Sequence, residues 1–294
     1  MSNDAAGKET WAHTFKVAFI LCAVCSILVS AAAVLLRPLQ NANKERERKK
    51  NILIAAGLYD ETKRAVVFKG RVLLDDDRKR KLPIEAMFQP SKTRPYVDQE
   101  IIDLKTGEPI GADTEKAIAD KFGAVDKYDQ RRASRDPDWS SKIEATGDVA
   151  RLKRREHYSW VYYVRKPNGE LEQIILPIRG YGLWSTLWGF IALKADLTTI
   201  RGITYYEHGE TPGLGGEVDN PLWKELWRGK KAFGESGKVQ IHVIKGVAPK
   251  DAVHQIDGLS GATITSKGVT NMLKFWLGEE GFGPFLERMR NKGD

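Results

Sequence analysis

Residues 17 to 36, VAFILCAVCSILVSAAAVLL, form twenty consecutive apolar or small positions without a charge. At ~1.5 Å of rise per residue, a helix of that length crosses a hydrocarbon layer of ~30 Å, so the run predicts a transmembrane helix. Ala31, Ala32 and Ala33 offer small residues of the signal-cleavage type, but apolar positions continue through Val34, Leu35 and Leu36. The run also exceeds the ~7–15 residues of a signal h-region, so an uncleaved anchor is the reading. QNANKERERKK then continues at helix-compatible spacing, and ILIAAGLYDE places the helix end at Gly57. The predicted plan is a short segment 1–16, an anchor 17–36, a membrane-proximal helical stalk 37–60 and one domain over 61–294.

Within that domain, DDDRKRK, DLKTGEPIGAD and DKYDQRRASRDPDWSSK are charged or turn-rich, and residues 66 to 150 read as solvated loops around short elements. The pattern sharpens at YSWVYYV, rich in aromatic and β-branched residues. An Asn168-Gly169 turn and the apolar run LEQIILPI follow, which predicts a β-hairpin. Further strands are expected at 190–193, 200–207 and 239–244, and helices at 222–228, 267–277 and 283–290. Strands and helices do not alternate regularly, so the fold class expected is α+β.

Composition changes this picture little. A chain of 294 residues, 41% hydrophobic and 29% charged, builds an ordinary folded core. The net charge of +8 is spread over several runs without a DNA- or RNA-binding signature, so no nucleic-acid partner is expected. Only Lys8 and Lys16 precede the anchor, whereas Arg37, Lys44, Arg46, Arg48, Lys49 and Lys50 follow it, and this count alone places the large domain in the cytoplasm. Both cysteines, Cys22 and Cys25, lie inside the span, where two thiols on one helix fall short of the about four ligands of a zinc or iron–sulfur site. They read as small packing residues. The five histidines form no HxxxH or HExxH pair, there is no GxSxG elbow and no P-loop, and no metal is expected.

Two segments could carry chemistry. In HGETPGLGGE, residues 208 to 217, Pro212 and Gly213 suit the two central positions of a type II turn, and Gly215 and Gly216 allow close approach of backbone or ligand. His208 beside this loop reads as a surface or hydrogen-bonded histidine. In DGLSGATITSKGVTNMLKFWL, Ser266 is the expected cap of a helix from Lys267, which delivers SGATIT and Lys267 to a helix N-terminus where an anion is favoured. At this level a capped helix after a turn, an anion cradle and a covalent attachment site all remain open.

DGLSGATIT resembles the flavinylation motif of membrane-bound electron-transport proteins, in which FMN is esterified through its phosphate to the last threonine. VCSILVSAAAVLLRPLQ, GLWSTLWGFIAL, TYYEHGETPGLGGEVDNPLW and FWLGEEGFGPFL extend the resemblance over essentially the whole chain, to the C subunit of the Na+-translocating NADH:quinone oxidoreductase. The resemblance implies a single transmembrane helix followed by an FMN-binding α+β domain, with FMN carried covalently on Thr265. It implies further that Ser260, Gly261, Ala262 and Thr263 form the phosphate-side loop, that Thr211, Gly213, Leu214 and Gly215 approach the ribityl chain or ring, and that Trp184 lines the flavin pocket. Asp257 is expected to serve recognition by a separate flavin transferase. The implied role is electron relay from NADH toward ubiquinone, coupled to Na+ export across the bacterial inner membrane, together with the A, B, D, E and F subunits of the complex. No NADH or quinone site is expected on this chain itself. The family keeps its flavin domain on the periplasmic side, against the charge count. Two other readings stand beside it: the flavin subunit of the related ferredoxin:NAD oxidoreductase complex, which YDQRR and GFGPFL argue against, and an anchored binding or assembly protein whose SGATIT is only a helix cap.

Overall fold

The structure is a computed structural model that describes residues 11–75, 77 and 79–292. It divides into a unit that ends at Glu47 and a compact unit that begins at Arg48, inside the segment read as stalk. The described residues of the first unit are helix, part of α1 (Trp11–Ala55), which carries Pro38 in its interior. Phe15, Phe19, Leu21, Ile27, Leu28, Leu35 and Leu39 are all exposed on it. Among the described residues this is the one helix long and apolar enough to cross a membrane, and none of its apolar window is buried by the chain itself. Unpartnered apolar surface of that extent is what a bilayer or other membrane helices cover.

The last turns of α1 belong to the second unit, where Ile52, Leu53, Ala55 and Ala56 are buried. The helix ends where the sequence places its end: Gly57 N–H donates to Ile54 O at 2.9 Å and Leu58 N–H to Leu53 O at 2.7 Å.

The second unit is built on a five-stranded antiparallel sheet: β1 (Tyr96–Asp103), β2 (Tyr158–Arg165), β3 (Leu171–Tyr181), β4 (Thr186–Lys194) and β5 (Ile200–Glu207). Its order is β5-β4-β3-β2-β1, so each strand lies beside its neighbour in this numbering. Both faces are covered. Val161, Tyr163, Ile174, Leu176, Ile191 and Leu193 point to one core, whereas Trp160, Tyr162, Val164, Ile175, Phe190 and Ala192 point to the other. That is why YSWVYYV and QIILPI read as near-continuous apolar runs: residues of both parities are buried.

The end of α1 packs on the second face. The first face carries α4 (Thr263–Leu277), which follows α2 (Ala112–Phe122) and the short α3 (Pro221–Glu225), and α5 (Gly283–Lys292). Val269, Met272, Leu273 and Trp276 recur at helical spacing and are all buried, and Trp276 Nε1 donates to the carbonyl of Arg179 on β3 at 2.6 Å. α4 is thereby tied to the sheet over its length, which fixes where its N-terminus points.

Several expectations change. β1 and α2 lie in the stretch read as loops around short elements; β1 pairs with β2 along all eight residues, from Tyr96 opposite Arg165 to Asp103 opposite Tyr158. The strand expected over 239–244 shrinks to His242–Val243, paired in parallel with Gln255–Ile256. The helix expected over 222–228 begins earlier and stops at Glu225, with Asn220 Oδ1 accepting from Leu222 N–H at 2.9 Å. The helix expected from Lys267 starts four residues sooner, at Thr263. Ser266 is therefore not its cap. Its hydroxyl lies inside the first turns and accepts from Leu259 N–H at 3.1 Å, holding the approaching loop instead.

Candidate functional site

The residue at the cap position of α4 is Ala262, with φ −127° and ψ 51° and no side-chain bond to the helix. A helix leaves its first N–H groups without intrahelical acceptors, and here no hydroxyl or carboxylate at the cap position serves Thr263, Ile264 or Thr265. The N-terminus is thus open in the sense that suits an anion. Gly261 before it has φ +69°, a conformation that favours glycine, and a carbon added there would lie 2.8 Å from Leu214 Cδ2. The two loops singled out from sequence therefore meet.

The second loop is a turn of the expected kind. Gly213 has φ +74° after Pro212, and Leu214 N–H donates to Thr211 O at 3.1 Å, the bonding of a type II turn. Gly216 N–H donates to the same carbonyl at 2.9 Å. This turn brings Gly215 over the first turn of α4. A side-chain carbon at Gly215 would sit 2.6 Å from Thr265 Oγ1 and 2.7 Å from Glu210 Oε2, so only glycine lets this backbone pack directly on the hydroxyl and the carboxylate.

Thr265 has no exposed surface, and its hydroxyl donates to Glu210 Oε2 at 2.6 Å. Glu210 is itself buried, and its other oxygen gathers a third segment: Oε1 accepts from the backbone N–H groups of Leu183, Trp184 and Ser185 at 2.9–3.1 Å. Burial pushes the Glu210 carboxyl up, but the hydrogen bonds from Thr265 and from the N–H groups of Trp184, Leu183 and Ser185 outweigh it and hold the group below the usual carboxylate range. Glu210 N–H in turn donates to His208 Nδ1 at 3.2 Å, while His208 Nε2 pairs with Asp219 Oδ2 at 2.8 Å. His208 is a hydrogen-bonded support of the loop.

Glu210 is the candidate site residue that sequence reasoning missed. It stands inside the HGETPGLGGE run as one of its two carboxylates, directly before the Thr211–Leu214 turn. The loop it gathers leaves Trp184 65% exposed and Leu183 38% exposed, and Leu214 of the second loop is also exposed, at 44%; apolar surface of this kind suits a flat ring.

The remaining expected residues divide. Gly261, Ala262, Leu214, Gly215, Trp184 and Thr265 converge around the start of α4. Ser260, Thr263, Thr211 and Gly213 are exposed at the rim. Ser260, Gly261 and Thr263 also border a groove that runs past Lys267 and Lys245. Asp257 is a loop anchor: its Oδ1 accepts from Ala248 N–H and its carbonyl from Trp223 Nε1, both at 2.9 Å.

Comparison with known proteins gives the family of the chain. The chain is 43% identical to the C subunit of the Na+-translocating NADH-quinone reductase of Pseudomonas aeruginosa over 98% of its own length and 99% of that protein, and 39% identical to its Yersinia pestis counterpart over 98% and 95%. It belongs to the NqrC family, the C subunits of this reductase. The crystal structure of NqrC from Shewanella oneidensis matches with a TM-score of 0.69 at 32% identity, over 85% of this chain and 99% of that one. A model of the FMN-binding domain family matches residues 182–278. That interval opens just before Trp184, contains Glu210 and the Pro212–Gly216 turn, and closes at the residue after α4. The α+β fold with one apolar N-terminal helix is the one expected of the family.

Proposed function

We propose that this subunit carries FMN as a phosphoester on Thr265 and relays electrons within the Na+-translocating NADH-quinone reductase, coupling NADH oxidation and ubiquinone reduction to Na+ export. The observation that carries the reading is the place of Thr265 Oγ1: a hydroxyl on the first turn of an uncapped helix, where the Gly261-Ala262 loop and the Gly213–Gly215 turn meet.

The residues fit such a group. The N–H groups that open α4 meet a phosphate anion, and Gly261 and Ala262 keep side chains out of its way. Trp184, Leu183 and Leu214 offer apolar surface to the ring, and Glu210 fixes the segment that bears Trp184. FMN, once bound, supplies reversible electron transfer, and an ester tether keeps it from dissociating. Thr265 is fully covered here, so its modification goes with displacement of the Thr211–Gly216 turn.

In this reading the chain has no NADH or quinone site of its own. It works with the A, B, D, E and F subunits and is matured by a flavin transferase, for which Asp257 shapes the approach to the motif. α1 anchors it in the bacterial inner membrane with the flavin domain on the periplasmic side. The positive charges after the anchor oppose that orientation, but long translocated domains override local charge bias.

Thr265→Ala tests the reading. The variant is expected to express and fold, to show no flavin fluorescence in a denaturing gel where the parent chain does, and to stop quinone reduction by the assembled complex. Fluorescence retained by the alanine variant would refute attachment at this residue.

A further inference from the structure

We propose that Glu210 is the proton acceptor for Thr265 when the flavin phosphoester is formed, so that the acceptor protein supplies part of the chemistry of its own modification. The inference rests on attachment at Thr265 and deepens it.

Thr265 and Glu210 are 55 residues apart in sequence, yet their oxygens meet at 2.6 Å in a buried contact, within the short range of a hydroxyl donating to a carboxylate. A bond that merely braced the loop would not need this oxygen. Oε1 already takes the N–H groups of Leu183, Trp184 and Ser185, and Oε2, which Leu183 N–H also reaches at 3.1 Å, has the hydroxyl as its closest partner. Three backbone donors hold the carboxylate in place and ionised, and both partners are buried where they meet. A threonine hydroxyl is a weak nucleophile, and a base positioned on its proton is the usual remedy.

Atoms and electrons balance in a single displacement at phosphorus. The donor is a flavin dinucleotide, whose pyrophosphate provides a leaving group that FMN alone lacks. Thr265 Oγ1 attacks the phosphorus on the flavin side and the Oγ1–P bond forms. The proton of Oγ1 passes to Glu210 Oε2. The bond from phosphorus to the bridging oxygen breaks with its electron pair, and the nucleoside monophosphate departs. Nothing is oxidised or reduced, and Glu210 later returns the proton to solvent.

The test uses the full chain in detergent, flavin adenine dinucleotide and the purified flavin transferase, and follows the initial rate of modification of the Thr265 peptide by mass spectrometry from pH 6 to 9. Glu210→Gln keeps an oxygen for the three backbone donors but presents an amide N–H to Thr265 in place of an acceptor. The expected result is a rate at least about 100-fold lower, the lower end of the effect of losing a general base. The wild-type rate should be nearly flat over this range, whereas the variant's rate should climb with pH as solvent takes over deprotonation. A variant rate within threefold of wild type overturns the proposal. So does a slow variant whose pH profile parallels the wild type, which would leave Glu210 a positioning residue only. If Glu210→Gln does not fold, Glu210→Asp decides: a reduced rate with a flat profile supports proton transfer, and a wild-type rate overturns it. An unmodified Thr265 in the wild-type chain is a different failure, because it removes the attachment reading itself and this inference with it.

Discussion

A side-chain carbon placed on Gly215 would lie 2.6 Å from Thr265 Oγ1, closer than carbon and oxygen approach without a bond. Gly215→Ala therefore drives a methyl group against the hydroxyl and the Glu210 carboxylate beside it. Flavin incorporation is expected to fall at least about tenfold, with a stability loss of about 1–3 kcal/mol for the overpacking. Peptide mass spectrometry and thermal melting of the same preparation check the two halves.

Trp184 separates ring contact from fold. With 65% of it exposed, Trp184→Ala is expected to change stability by no more than about 0.5 kcal/mol. The covalent flavin should remain, because the loop is held by backbone N–H groups and not by the indole. Its fluorescence intensity should rise, since an aromatic quencher is gone. An unchanged emission spectrum and intensity would remove Trp184 from the pocket.

The pH dependence of stability carries the imprint of Glu210. Its carboxyl titrates lower in the folded chain than the ordinary value of 4.5, so the unfolded chain binds more protons in that region. The stabilisation is fully present above pH ~4.5 and is lost as pH falls through the folded value. Denaturant titrations between pH 3 and 7 should show Glu210→Gln losing stability less steeply on acidification than the wild type.

On β3, Arg179 Nη2 pairs with Glu156 Oε2 at 2.5 Å, with side chains only 8% and 2% exposed. The Arg179 guanidinium also lies over the rings of Trp188 and Trp276, at 5.4 and 5.6 Å. Removing one partner strands a buried charge, so Glu156→Ala is expected to cost about 3–5 kcal/mol in thermal or denaturant unfolding. Because Trp276 belongs to α4, flavin incorporation should fall with it.

Much of this was legible in the sequence. The apolar span, the hairpin at Asn168-Gly169 and the Pro212-Gly213 turn each follow from a local rule, and the structure contains all three. β1 was not, because YVDQEIID mixes Asp98, Gln99 and Glu100 with its apolar residues and gains its strand identity from pairing with β2. The start of α4 was misjudged for a related reason. Ser266 is a good cap by residue type, but its hydroxyl is used by Leu259, and the cap position falls on Ala262, whose methyl side chain cannot cap at all. The Glu210–Thr265 contact joins two loops 55 residues apart, and no local rule reaches that far.

The most direct measurement is fragmentation mass spectrometry of the tryptic peptide from Asp251 to Lys267, taken from the complex purified out of native membranes. The account predicts the mass of FMN less one water on this peptide, with fragment ions placing it on Thr265. An unmodified peptide, or a flavin localised to Ser260, Thr263 or Ser266, would contradict it.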